Sequence, residues 1–101
     1  MIRISVKRDN ENYQEIKFIG HALFDDYGKD IVCAGVSSIM TTSVNAILRF
    51  NESAISYVNS EDTFTISIHE HDNITNTLLE NMMSLLEELQ ESYPKNLKIE
   101  I

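Results

Sequence analysis

The stretch Gly20-His21-Ala22-Leu23-Phe24-Asp25-Asp26-Tyr27-Gly28-Lys29-Asp30-Ile31-Val32-Cys33-Ala34-Gly35-Val36-Ser37 is where the chain changes its hydrophobic period. Before it, Ile16 and Phe18 share one face at the two-residue spacing of a strand. After it, Val32, Val36, Ile39, Met40, Val44, Ile47 and Leu48 recur at helical spacing as far as about Phe50. The residues between, Ala22 to Lys29, keep no clean period and include Gly28, as a loop does. Asp30 is a good N-cap for the helix that follows. Gly35 costs the first turns about 1 kcal/mol relative to Ala, which close packing or ligand access over that turn would explain.

Outward from this junction the pattern is regular. Ile2, Ile4 and Val6 alternate with Arg3, Ser5 and Lys7. Asp9-Asn10-Glu11-Asn12 carries turn chemistry and joins this strand to the next, Tyr13 to about Gly20, as an antiparallel hairpin. Beyond the helix, Ala54–Val58 and Thr63–His69 form two further strands joined by Asn59-Ser60-Glu61-Asp62. A second helix is expected from about Asn73 to Ser92, capped by Asp72 or Asn73 and stopped by Pro94. Lys95–Ile101 alternates as a last strand. The order is β-β-α-β-β-α-β, an α+β fold with a mainly antiparallel sheet packed by two helices. The second helix is apolar over a broad arc, so it is either deeply packed or meets a partner chain.

At 101 residues the chain is expected to be a single domain, residues 1-101. Its small core makes a homodimer plausible from size alone. Eight Lys plus Arg against sixteen Asp plus Glu leave a formal charge of −8. Direct nucleic acid binding needs a positive surface and is not expected. An acidic surface keeps the chain soluble and can steer basic protein partners. The single cysteine allows no internal disulfide and fits a reducing, cytoplasmic setting. The N-terminus lacks the apolar core of a signal peptide. No apolar run approaches the roughly 20 residues that span a membrane, so no membrane association is expected.

That one cysteine, Cys33, falls at the third position of the helix counted from Asp30. The first N–H groups of a helix lack intrahelical partners and sit at the positive end of its dipole, which stabilises a thiolate there. The same groups can hold an oxyanion during attack on a carbonyl. His21, twelve positions earlier at a strand end, has the imidazole suited to proton transfer. Ser37, four residues after Cys33, lies on the same helix face. Asp30 can cap the helix, orient His21, or do both. Against this stands the plainer reading of Cys33 as a small buried hydrophobe. His69-Glu70-His71 puts two imidazoles on one strand face, but no third ligand accompanies them, so solvent exposure is the better reading and no metal or other cofactor is expected. Met40, Met82 and Met83 are expected to fill the core.

Gly20-His21-Ala22, Gly28 and the block Asp30-Ile31-Val32-Cys33-Ala34-Gly35-Val36-Ser37 resemble the ribosomal-processing cysteine protease family, Prp. The resemblance covers nearly the whole chain in length and element order, with Gly35 standing where Ala is common. It implies a dimeric Cys/His endopeptidase that removes an N-terminal extension from a bacterial large-subunit ribosomal protein precursor, number twenty-seven. By motif it makes His21 the catalytic histidine and Cys33 the nucleophile. Asp30 and Ser37 match supporting positions. Leu23, Phe24 and Tyr27 would help form a substrate-binding pocket, since loops often carry binding residues. Two other readings remain for the same thiol: a non-catalytic ribosome-associated binding module and a redox-sensing protein.

Overall fold

The computed structural model describes residues 1–20 and 31–101 of the chain. Strand β1 (Ile2–Asp9) and strand β2 (Asn12–Ile19) form the expected antiparallel hairpin. Asn10 takes the turn at φ 59°, a left-handed value that asparagine tolerates. The register shifts between Lys7 and Arg8, leaving Gln14 as a bulge. Helix α1 (Ile31–Phe50) precedes a second antiparallel hairpin, β3 (Ile55–Asn59) and β4 (Thr63–Ile68). Helix α2 (Asn73–Ser92) leads to β5 (Leu97–Glu100). The element order is the expected one, with strand ends displaced by a residue or two.

The sheet runs β3-β4-β2-β1-β5. Among the described residues only the β1–β5 pair is parallel; β2–β4 and both hairpins are antiparallel. One face is apolar through Ile4, Ile16, Ile66 and Leu97, all fully buried beneath the helices. The other carries Ser5, Lys17, Thr65 and Ser67 and is polar. Period-two alternation is therefore what makes a two-layer fold.

Helix α1 answers a charge-poor sequence in an unexpected way. It is 20 residues long with a mean hydropathy of 1.7, enough by length and composition to cross a membrane, contrary to the expectation above. Its face of Val32, Val36, Val44 and Ile47 is buried in the core cluster. Gly35 is explained by close packing: a Cβ there would lie 3.2 Å from Leu89 of α2.

Helix α2 buries Leu79, Met82, Met83 and Leu86, while Leu85 stays 40% exposed, so its broad apolar arc is only partly covered. Asp72 caps it, accepting from Thr75 N at 2.9 Å and from Thr75 Oγ1 at 2.9 Å. Those bonds hold the Asp72 carboxyl below its ordinary pKa. At the end of the sheet near this cap, Arg8 lies 4.2 Å over the Tyr13 ring and 3.8 Å from Glu80. Burial raises the Tyr13 phenol, Glu80 adding to the effect and Arg8 opposing it.

Candidate active site

Cys33 is the third residue of α1, as its spacing from Asp30 predicts, and it is half-buried. It packs against the core cluster and also lines a cavity of about 350 Å³. Ser37, Met40 and Thr41 line the same cavity. These are the next positions on one face of α1, at the i+4, i+7 and i+8 spacing that stacks side chains along a helix. The helix thus presents a thiol, two hydroxyls and a thioether in a row of roughly 12 Å, from 1.5 Å rise per residue. Ser37 falls beside Cys33 as expected, and it is exposed. Met40 is half-buried: it packs against the core cluster as expected and also lines the cavity, while Met82 and Met83 are buried as expected.

The sheet supplies the floor through Ile2, Phe18 and Phe64. Phe18 meets Phe64 edge-on with ring centroids 6.4 Å apart, and Phe64 stacks on Tyr57 at 5.1 Å. The second wall is the β3–β4 turn, Asn59 to Asp62, which sequence reasoning treated only as a connection. Nothing local marked it: a turn becomes a wall only when β4 pairs with β2 and brings it over Phe18.

Gly20 also lines the cavity. Its φ of +84° is a conformation that L side chains rarely adopt, and a Cβ there would lie 3.0 Å from the Met1 carbonyl oxygen. Its N–H donates to the Asp62 carbonyl at 3.0 Å. The exit of β2 is therefore tied to the turn that walls the cavity. His21, Leu23, Phe24, Tyr27 and Asp30 lie outside the described residues.

His69 and His71 do not share a strand face, because β4 ends at Ile68. His69 Nε2 pairs with Ser56 Oγ at 2.7 Å, and His71 Nε2 with the Tyr13 carbonyl at 2.9 Å. No cluster of three or more metal-ligating side chains exists among the described residues.

A half-buried thiol in the first turn of a helix, beside an elongated cavity with an apolar floor, suits covalent attack on a bound peptide. The model of the family described as cysteine protease Prp matches residues 1–98. The chain belongs to the Prp cysteine protease family. It is 30% identical to the ribosomal processing cysteine protease Prp of Staphylococcus aureus, over 98% of this chain and 97% of that one. Two crystal structures of Prp from S. aureus share the fold. The one with a covalently linked product peptide superposes with a TM-score of 0.92 at 27% identity, covering 99% of this chain and 98% of that one. The one with a substrate peptide gives 0.85 at 26% identity, covering 98% and 97%. As a Prp family member the chain is a cysteine protease.

Proposed function

We propose that this Prp family member removes an N-terminal extension from the precursor of bacterial large-subunit ribosomal protein twenty-seven, using Cys33 as nucleophile and His21 as general acid–base. The observation that carries the reading is the position of Cys33: third in α1, on the wall of the cavity. The ribosomal processing named for the S. aureus relative supports the substrate class. A redox sensor has no use for a peptide-sized cavity, and a binding module has none for a thiol on its wall.

In this mechanism Cys33 gives its proton to His21 and its sulfur attacks the scissile carbonyl. First-turn N–H groups of α1 stabilise the oxyanion, His21 protonates the leaving amine, and water hydrolyses the thioester. Asp30 and Ser37 support the dyad; Leu23, Phe24 and Tyr27 contact substrate. The protein works in the cytoplasm as a homodimer, for which exposed Leu85 and Ile74 of α2 offer apolar surface. Sedimentation of Leu85→Glu tests that part: a wild type that is already monomeric refutes it.

The main test incubates the protein with a synthetic peptide spanning such an extension. Cleavage by wild type and its loss in Cys33→Ala and in His21→Ala is the expected result. Undiminished cleavage by either variant removes that residue from the mechanism.

A further inference from the structure

The outer edge of β3 is unlike the other edge of the sheet. The bonds Ser60 N to Thr63 O (2.8 Å) and His69 N to Ala54 O (2.8 Å) set the phase of the β3–β4 ladder. Hydrogen-bonded pairs alternate in an antiparallel ladder, so Ser56 and Val58 bond inward to β4. The N–H and C=O groups of Tyr57 and Asn59 then face away from the sheet. Among the described residues nothing pairs with them. The strand, Ile55-Ser56-Tyr57-Val58-Asn59, contains no charge and no proline, and Tyr57 and Val58 are 51% and 64% exposed. Proteins usually protect such an edge, because it is a template for another strand.

What occupies it follows from where it leads. Asn59, the last residue of β3, lines the cavity that Cys33 lines, and Tyr57 stacks on Phe64 of the cavity floor. The edge and the thiol are therefore parts of one continuous surface. Five residues of strand offer roughly 17 Å of backbone, at about 3.4 Å per residue. We infer that the peptide substrate binds in extended form as a sixth strand on β3, paired through Tyr57 and Asn59, and passes from there into the cavity to reach Cys33. Main-chain pairing supplies affinity in such an arrangement, and alternate side chains supply selectivity. This inference rests on the protease reading above and adds to it the surface that holds the substrate.

Proline is tolerated in an edge strand where the N–H it removes faces outward, so Tyr57→Pro and Asn59→Pro delete one outward donor each without touching the β3–β4 ladder. Steady-state cleavage of the synthetic extension peptide should show KM raised roughly tenfold by each variant, with kcat changed far less. The second measurement needs no variant: wild type is assayed on a set of the same peptide N-methylated at one backbone position at a time. KM should rise at alternate positions and hold steady at those between, a period of two that a general loss of fold cannot produce. A flat or non-alternating profile overturns the inference even if cleavage remains dependent on Cys33. Conversion of a dimer to a monomer by Tyr57→Pro, with KM unchanged, assigns the edge to a second copy and also overturns it. A wild type that leaves the peptide intact overturns the protease reading and this inference together.

Discussion

The two edges of the sheet are built from opposite materials. In the parallel β1–β5 pair, the N–H groups of Leu97 and Ile99 turn away from β1. Both are claimed from the end of α2: Leu97 donates to the Tyr93 carbonyl at 3.1 Å, and Ile99 to Gln90 Oε1 at 2.6 Å. Glu100 pairs with Arg3 at 2.9 Å, and Lys98 stands exposed. Helix, charge and ion pair together make β5 a poor template. Strand β3 has none of these devices and runs into the cavity beside Cys33. The difference teaches that, among the described residues, the outward N–H groups are taken on β5 and left open on β3, the edge that runs into the cavity Cys33 lines.

The sharpest way to break this comparison is at the thiol. Cys33→Ala should lower peptide cleavage by more than about 10³-fold, since the covalent step is lost, while the thermal midpoint moves little. Next, Leu79→Ala should cost about 2–5 kcal/mol in urea unfolding, because Leu79 is fully buried in the core that both edges share. It should lower KM-weighted activity only where the fold itself is lost. Gly20→Ala should cost about 1–2 kcal/mol for a left-handed position, with the Met1 carbonyl in the way. Its activity should fall further than its stability, because Gly20 is tied to the Asp62 carbonyl at the cavity. A purely proportional loss would separate Gly20 from the site.

On the closed edge, Gln90→Ala should cost about 1 kcal/mol by stranding the Ile99 N–H, with cleavage kinetics unchanged. Equal changes in KM from Gln90→Ala and Tyr57→Pro would erase the distinction between the edges. The smallest effect concerns Asp72. Its folded-state pKa lies below the ordinary value of 3.8, so its contribution is present above that pH and is lost as pH falls through the lowered value. Wild type should therefore lose more stability on acidification across this range than Asp72→Asn, measured by urea midpoints.

Much of the architecture was legible locally. Asp9-Asn10-Glu11-Asn12 and Asn59-Ser60-Glu61-Asp62 each joined two alternating segments, and both became hairpin turns. Asp72 and Pro94 bounded α2 because caps and stops act within one turn of chain. Hairpin pairings are near in sequence and carry turn chemistry. The β2–β4 and β1–β5 pairings are not, and an alternating strand presents the same pattern to any neighbour. That is why the cavity-lining role of Met40 was not legible and the β3–β4 turn read as a mere connection. The histidines at 69 and 71 failed for a related reason: β4 ends before them, and each is taken up by a different neighbour.

By itself, then, the sequence determined the order of elements, the buried faces of β1 and β2, and the place of Cys33 in the first turn of α1, because each depends on spacing within a few residues. Only the tertiary structure decided which strands lie side by side. That choice put Phe18 against Phe64, set the Asn59–Asp62 turn opposite α1, and left β3 rather than β5 with an open edge. These are consequences of long-range pairing, where burial and hydrogen bonding must be satisfied across the whole sheet at once, and no local pattern carries that information.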